Sequence, residues 1–180
     1  MKTIVIINGP PRAGKDTFVS LCKELSTFEV INLSSVDMIK MVAQILGWDG
    51  QTKDEESRKF LSDLKDLSTK YNDGPTRYLS NQISSSPPDS IVFCHIREPY
   101  DIEKLRLKWA ETSNRIPPMY KIHTLLIDRN TETYNNHADK NVRDYDYEFV
   151  IDNNYDLTHL AREAKKFLKK IEKPMKGELV

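Results

Sequence analysis

The residues whose types and spacing most plainly do chemistry are Gly9-Pro10-Pro11-Arg12-Ala13-Gly14-Lys15-Asp16-Thr17. They fit the pattern G-x-x-x-x-G-K, and they sit after a strand-like run and before a helix-like one, the context that gives the pattern meaning. Glycines let the chain curl so that successive backbone N–H groups point inward. The start of a helix adds positive potential for phosphate oxygens. Lys15 would then supply a mobile positive charge to the β- and γ-phosphates of ATP. Asp16 stands where a serine or threonine is usual. A carboxylate beside a triphosphate repels it unless a cation lies between, so Asp16 is expected to hold Mg2+, with Thr17 offering a hydroxyl to metal or phosphate. Gly9, Pro10, Arg12, Ala13, Gly14, Lys15, Asp16 and Thr17 thus form the expected ATP-binding loop. The competing reading is a glycine-rich strand-to-helix turn that binds nothing.

The flanking elements must position that loop. Thr3–Asn8 is a β-branched run short enough to be a strand buried on both faces. Phe18, Leu21, Cys22 and Leu25 follow at helical spacing. Further strands are expected at 28–33, 90–96, 122–127 and 149–151. A helix over 36–46 stops at Gly47, and Pro99 fits the first turn of another. Between Gln51 and Lys70 the chain is charged, with Phe60, Leu61, Leu64 and Leu67 at helical spacing, which predicts a surface helix with one buried stripe. Gly74-Pro75 breaks it. Pro117-Pro118 closes the unit before the fourth strand, and the tail after Pro174 is expected to fray. Strands alternating with helices predict an α/β fold with a mostly parallel sheet of five strands covered on both faces. Such sheets carry their sites at the carboxyl ends of the strands.

Composition narrows the function classes. The chain has 180 residues, near the size of one domain. Lys+Arg 27 balance Asp+Glu 27, so no global positive field points to nucleic acid or an anionic membrane. Apolar runs of five or six residues are far shorter than the roughly 20 needed to span a bilayer. Cys22 and Cys94 fall in a helix and a strand as small core residues, no Cys/His spacing resembles a zinc site, and the expected setting is cytoplasmic.

Three later stretches, read with Gly-Lys-Asp-Thr, carry a resemblance. They are 36–47; His95-Ile-Arg97-Glu98-Pro99; and Phe149-Val-Ile-Asp-Asn-Asn154, preceded by Asn136-His137-Ala138-Asp139. The chain resembles the phage-type P-loop deoxynucleoside monophosphate kinases, with His95 where that family has an aspartate. The resemblance implies a three-layer P-loop NTPase fold in one domain, 1–180, with an acceptor-binding insertion at 33–88 and a lid at 129–146. It implies transfer of the γ-phosphoryl of Mg·ATP to a (deoxy)nucleoside monophosphate. Nucleotides would be the partners, without nucleic acid or membrane, and the protein would be a monomer or homodimer. The alternatives are a P-loop kinase for another small phosphorylated metabolite and an ATP-binding protein without transfer activity.

Further candidates follow from that frame. Arg97, at a strand end, can grip an acceptor phosphate bidentately and offset transition-state charge, or it can pair with Glu98. Asp37 can take a proton from an acceptor hydroxyl or serve its own helix terminus. Among the insertion's cations, Arg58 and Arg77 are preferred over Lys59 and Lys65 for their fork geometry. Arg129, Lys140 and Arg143 are lid cations for ATP, and Arg129 can instead stack on the base. His123 and His137 are structural or solvent-facing, and Trp48, Tyr71 and Tyr78 are core or lining residues. The expected catalytic set is Lys15, Arg97 and Arg129.

Overall fold

The run near the N-terminus forms strand β1 (Lys2–Asn8), with all seven residues buried, as a central strand of a parallel sheet requires. The structure, a computed structural model, describes residues 1–112, 120–130 and 141–172. After β1 come α1 (Lys15–Leu25), β2 (Val30–Ser34), α2 (Asp37–Ile45), α3 (Glu55–Asn72) and α4 (Gly74–Ser85). Then follow β3 (Ile91–His95), α5 (Pro99–Thr112), β4 (Tyr120–Asp128), β5 (Phe149–Asp152) and α6 (Leu157–Glu172). The chain divides into two compact units, Met1–Asn32 with Ser86–Val180, and Leu33–Ser85.

The sheet has five parallel strands in the order β2-β3-β1-β4-β5. β1 pairs with β3 from Thr3–Ile91 to Ile7–His95, and with β4 from Lys2–Tyr120 to Asn8–Leu126. Alternate residues of a strand face opposite sides. Val5, Ile7, Phe93, Leu125 and Ile127 join Phe18 and Cys22 of α1 and Leu160, Ala164, Phe167 and Ile171 of α6 in one core. Phe167 meets the rings of Phe18, Phe93 and Phe149 within it. Ile4, Ile6, Val92 and Cys94 are equally buried and alternate with the first set. On α5, which packs against β4, Ile102, Leu105 and Trp109 are buried, and Trp109 meets Tyr120 edge-on. Cys22 and Cys94 are both buried and unbridged. No helix among the described residues is long and apolar enough to cross a membrane.

This strand order places a crevice. From β1 the chain runs past β3 to the sheet edge at β2, whereas from β3 it crosses to the opposite side at β4. Between strands whose connections depart in opposite directions, the carboxyl ends leave a cleft. Residues 9–17 leave β1 there, and His95 to Arg97 leave β3 there.

The second unit is built from α2, α3 and α4, which pack together. Asp54 caps α3 by accepting the Ser57 N–H at 2.7 Å, and Asp73 ends it in the left-handed conformation with φ 57°. The stripe expected on α3 is not a buried one. Phe60, Leu61 and Leu64 are half-buried, Leu67 is 66% exposed, and no residue of α3 is fully buried. The physical reason is that Leu64 and Leu67 line an open cavity instead of a closed core. Several boundaries also move: Phe28 packs on the first unit's core and precedes β2, while β4 starts at Tyr120. Pro117-Pro118, His137 and the tail after Pro174 lie outside the described residues.

Candidate functional site

The loop between β1 and α1 is shaped by its own hydrogen bonds. Gly9 N–H donates to Asn8 Oδ1 at 2.8 Å, and Ala13 N–H to the Pro10 carbonyl at 3.1 Å. Arg12 takes a left-handed φ of 60°, and Gly14 one of 91° as it opens α1. At Gly14 two constraints coincide. An L side chain rarely adopts that φ, and a Cβ there would stand 2.5 Å from Asn153 Nδ2. Asn153 is 5% exposed and cannot step aside freely, because its Nδ2 donates to the Ala13 carbonyl at 2.7 Å. The first helical bond of α1 is Phe18 N–H to the Gly14 carbonyl. N–H groups before Phe18 have no carbonyl inside the helix, which makes this turn a natural anion cradle.

Lys15 folds back over the loop, its Nζ donating to the carbonyls of Gly9 at 2.7 Å and Pro10 at 2.9 Å. The ammonium is therefore held against the loop's own carbonyls. Asp16 and Thr17 lie on the exposed side of the first turn, the Asp16 carboxylate 88% exposed. His95 Nε2 lies 2.8 Å from Asn32 Oδ1 and 3.7 Å from Asp16 Oδ1. Among the described residues no cluster of three or more His, Cys, Asp or Glu could hold a metal by itself. Mg2+ at a nucleotide takes one or two protein oxygens and fills the rest with phosphate and water. An exposed carboxylate beside a hydroxyl in the first turn of α1 fits that donor set.

The loop's floor is polar and buried. Asn8, fully buried after the aliphatic run Ile4-Val5-Ile6-Ile7, donates to the Arg97 carbonyl at 2.9 Å and to Tyr147 Oη at 2.7 Å. Tyr147 Oη donates in turn to the Val142 carbonyl at 2.9 Å. Burial pushes the Tyr147 hydroxyl up to about 12, so it stays protonated. Asn153 N–H donates to the Asp128 carbonyl at 2.7 Å, tying the end of β5 to the end of β4.

The other expected residues fall into place unevenly. Arg97 is exposed immediately after β3, beside the loop through Asn8. Arg129 is exposed after β4. Arg143 Nη2 and Nε both reach Asp128 Oδ1, at 2.7 and 3.1 Å, so its guanidinium is already engaged by a carboxylate. Lys140 and the middle of the expected lid lie outside the described residues. Asp37 Oδ2 accepts the Ser34 N–H at 2.7 Å, tying the first residue of α2 back to the last residue of β2.

Within the second unit lies a cavity of about 600 Å3 lined by Met38, Leu64, Leu67, Tyr71, Arg77, Tyr78 and neighbouring amides. A volume of this order suits a small ligand, and mixed apolar and amide walls with one guanidinium suit a ring bearing an anionic group. Arg77 lines the cavity and Arg58 does not. Asn8, Tyr147 and Asn153 are the supporting residues that the sequence reading missed. A lone amide directly after four aliphatic residues was a usable signal for Asn8; nothing comparable marks Tyr147.

No protein-family model matches the chain, and no curated protein matches it either. What the site can do is set by its own geometry.

Proposed function

We propose that this chain is a P-loop phosphotransferase that moves the γ-phosphoryl group of Mg·ATP to a (deoxy)nucleoside monophosphate. The observation that supports it best is the loop 9–17 itself. It lies in the crevice at the carboxyl ends of β1 and β3, opens α1 through a left-handed Gly14, and carries Lys15 curled over its own carbonyls.

In this reading the α1 N-terminus and Lys15 hold the β- and γ-phosphates, and Arg97 faces the group in transfer from the end of β3. Asp16 and Thr17 would hold Mg2+, which supplies charge neutralisation between the phosphates. The acceptor phosphate oxygen forms a bond to the γ-phosphorus as the bond from that phosphorus to the bridging oxygen breaks, leaving ADP. No protein nucleophile is required, so catalysis is positioning and charge stabilisation. The acceptor's place in the second unit is supported by the cavity bearing Arg77, Tyr71 and Tyr78.

The test is coupled ADP release from Mg·ATP against a panel of ribo- and deoxynucleoside monophosphates. Turnover dependent on one or a few of them is the expected result. Turnover only with a phosphorylated sugar or coenzyme precursor would replace the acceptor, and ATP binding with no acceptor-dependent turnover would replace the reaction by simple binding.

A further inference from the structure

Every hydrogen beneath the phosphate loop is assigned by chemistry. The Arg97 carbonyl has no hydrogen to give, so Asn8 must turn its nitrogen toward it, and its two amide hydrogens go to Arg97 and to Tyr147 Oη. That leaves Asn8 Oδ1 to accept from Gly9 N–H. Tyr147 accepts from Asn8, so its own single hydrogen goes to the Val142 carbonyl. The result is one directed chain from Gly9 through Asn8 and Tyr147 to Val142, with a branch to Arg97. Asn8 is fully buried, Tyr147 is 8% exposed and Val142 1%, so water competes little for the two bonds of the Tyr147 hydroxyl, while the branch to Arg97 is part-buried. In such surroundings linked hydrogen bonds strengthen one another and fix one geometry.

The chain joins parts far apart in sequence. Residues 141–147 return from the polar stretch after β4, and Arg143 within them is clamped on Asp128. Asn8 is the last residue of β1, and Arg97 lies just past β3. We propose that Tyr147 is a positioning residue for phosphoryl transfer, its hydroxyl acting through Asn8 to hold the phosphate loop and Arg97 in register with the segment that carries Arg143. This rests on the phosphotransferase reading. Tyr147 touches no substrate; it sets where the groups that do so stand.

Tyr147→Phe keeps the ring and its packing but strands one Asn8 hydrogen and the Val142 carbonyl. The expected result is a kcat lowered roughly tenfold, as loss of a buried positioning bond implies. KM for ATP should stay within about twofold, because the cradle's own N–H groups are untouched. The backbone amide resonances of Gly9 and Arg97 should move with it. Ile171→Val, a core change on α6 away from the loop, controls for lost stability and should leave kcat near the unsubstituted value. In an Asn8→Ala background, adding Tyr147→Phe should lower kcat by less than about twofold more, since the hydroxyl then has no route to the loop.

Unchanged kcat with unmoved Gly9 and Arg97 resonances overturns the proposal, as do effects of the two substitutions that simply multiply. Either of those results leaves phosphoryl transfer by the unsubstituted protein standing. Absence of transfer by the unsubstituted protein overturns the phosphotransferase reading and this proposal together.

Discussion

Gly14→Ala is the sharpest structural test of how the loop at residues 9–17 is braced, because the structure provides its own control. At Gly14 the added methyl must accept a φ of 91°, and it meets Asn153 Nδ2 at 2.5 Å. At Gly47, φ is 103°, yet nothing lies within 4 Å of the position a Cβ would take. The left-handed conformation costs an L residue about 1–2 kcal/mol. The stiffer unfolded chain returns about 0.4–1 kcal/mol. Gly47→Ala should therefore destabilise by about 1 kcal/mol or less. Gly14→Ala adds displacement of the buried Asn153 amide from the Ala13 carbonyl, a further ~1–3 kcal/mol for groups left short of a partner. The expected total is about 1–4 kcal/mol. Urea unfolding of the two variants measures the difference directly, with an unchanged m-value confirming that only stability moved. Equal destabilisation within about 0.5 kcal/mol would refute the reasoning, because it would mean that Asn153 does not brace the loop.

Other outcomes follow from the same structure. Lys15→Ala should lower transfer by ~100-fold or more while the fold survives, since Nζ donates to the loop carbonyls of Gly9 and Pro10 and is only part-buried; circular dichroism and turnover separate the two effects. Arg77→Ala should raise the acceptor KM about tenfold, whereas Arg58→Ala, outside the cavity, should change it less than about twofold; acceptor saturation curves check both. Cys22 and Cys94 are pushed up to about 12 by burial from an ordinary 9.0, so the native protein should resist alkylation at pH 8 and react on unfolding. Because the folded thiol pKa values lie above the unfolded ones, their contribution to stability is full below pH 9 and is lost as pH rises from 9 toward 12; denaturation midpoints across that range measure it.

Much of the fold can be read from local pattern, and the exceptions share a cause. β1 and α1 are legible because a β-branched run, a glycine-lysine turn and a 3.6-residue stripe follow one another without ambiguity. α6 is legible for the same reason: Leu160, Ala164, Phe167, Leu168 and Ile171 repeat on one face and are all buried. The stripe on α3 has the same periodicity, yet it borders a cavity, because period alone states which residues share a face and not whether another element closes over it. The loop at residues 9–17 is local and therefore visible. The network beneath it is not: Asn8 and Tyr147 meet across 139 positions, and no spacing rule connects them. Asp37 shows the reverse case. Its carboxylate suits acceptor chemistry by type, and one of its oxygens also accepts a backbone N–H three residues earlier, a bond that residue type alone does not announce.

The central claim is transfer of a phosphoryl group, and the most direct measurement follows that group. ATP labelled in its γ-phosphoryl, mixed with Mg2+ and each nucleoside monophosphate in turn, should place the label on the diphosphate of at least one acceptor, and the Lys15→Ala protein should not. Label that stays in ATP, or that appears only as inorganic phosphate, would contradict the account.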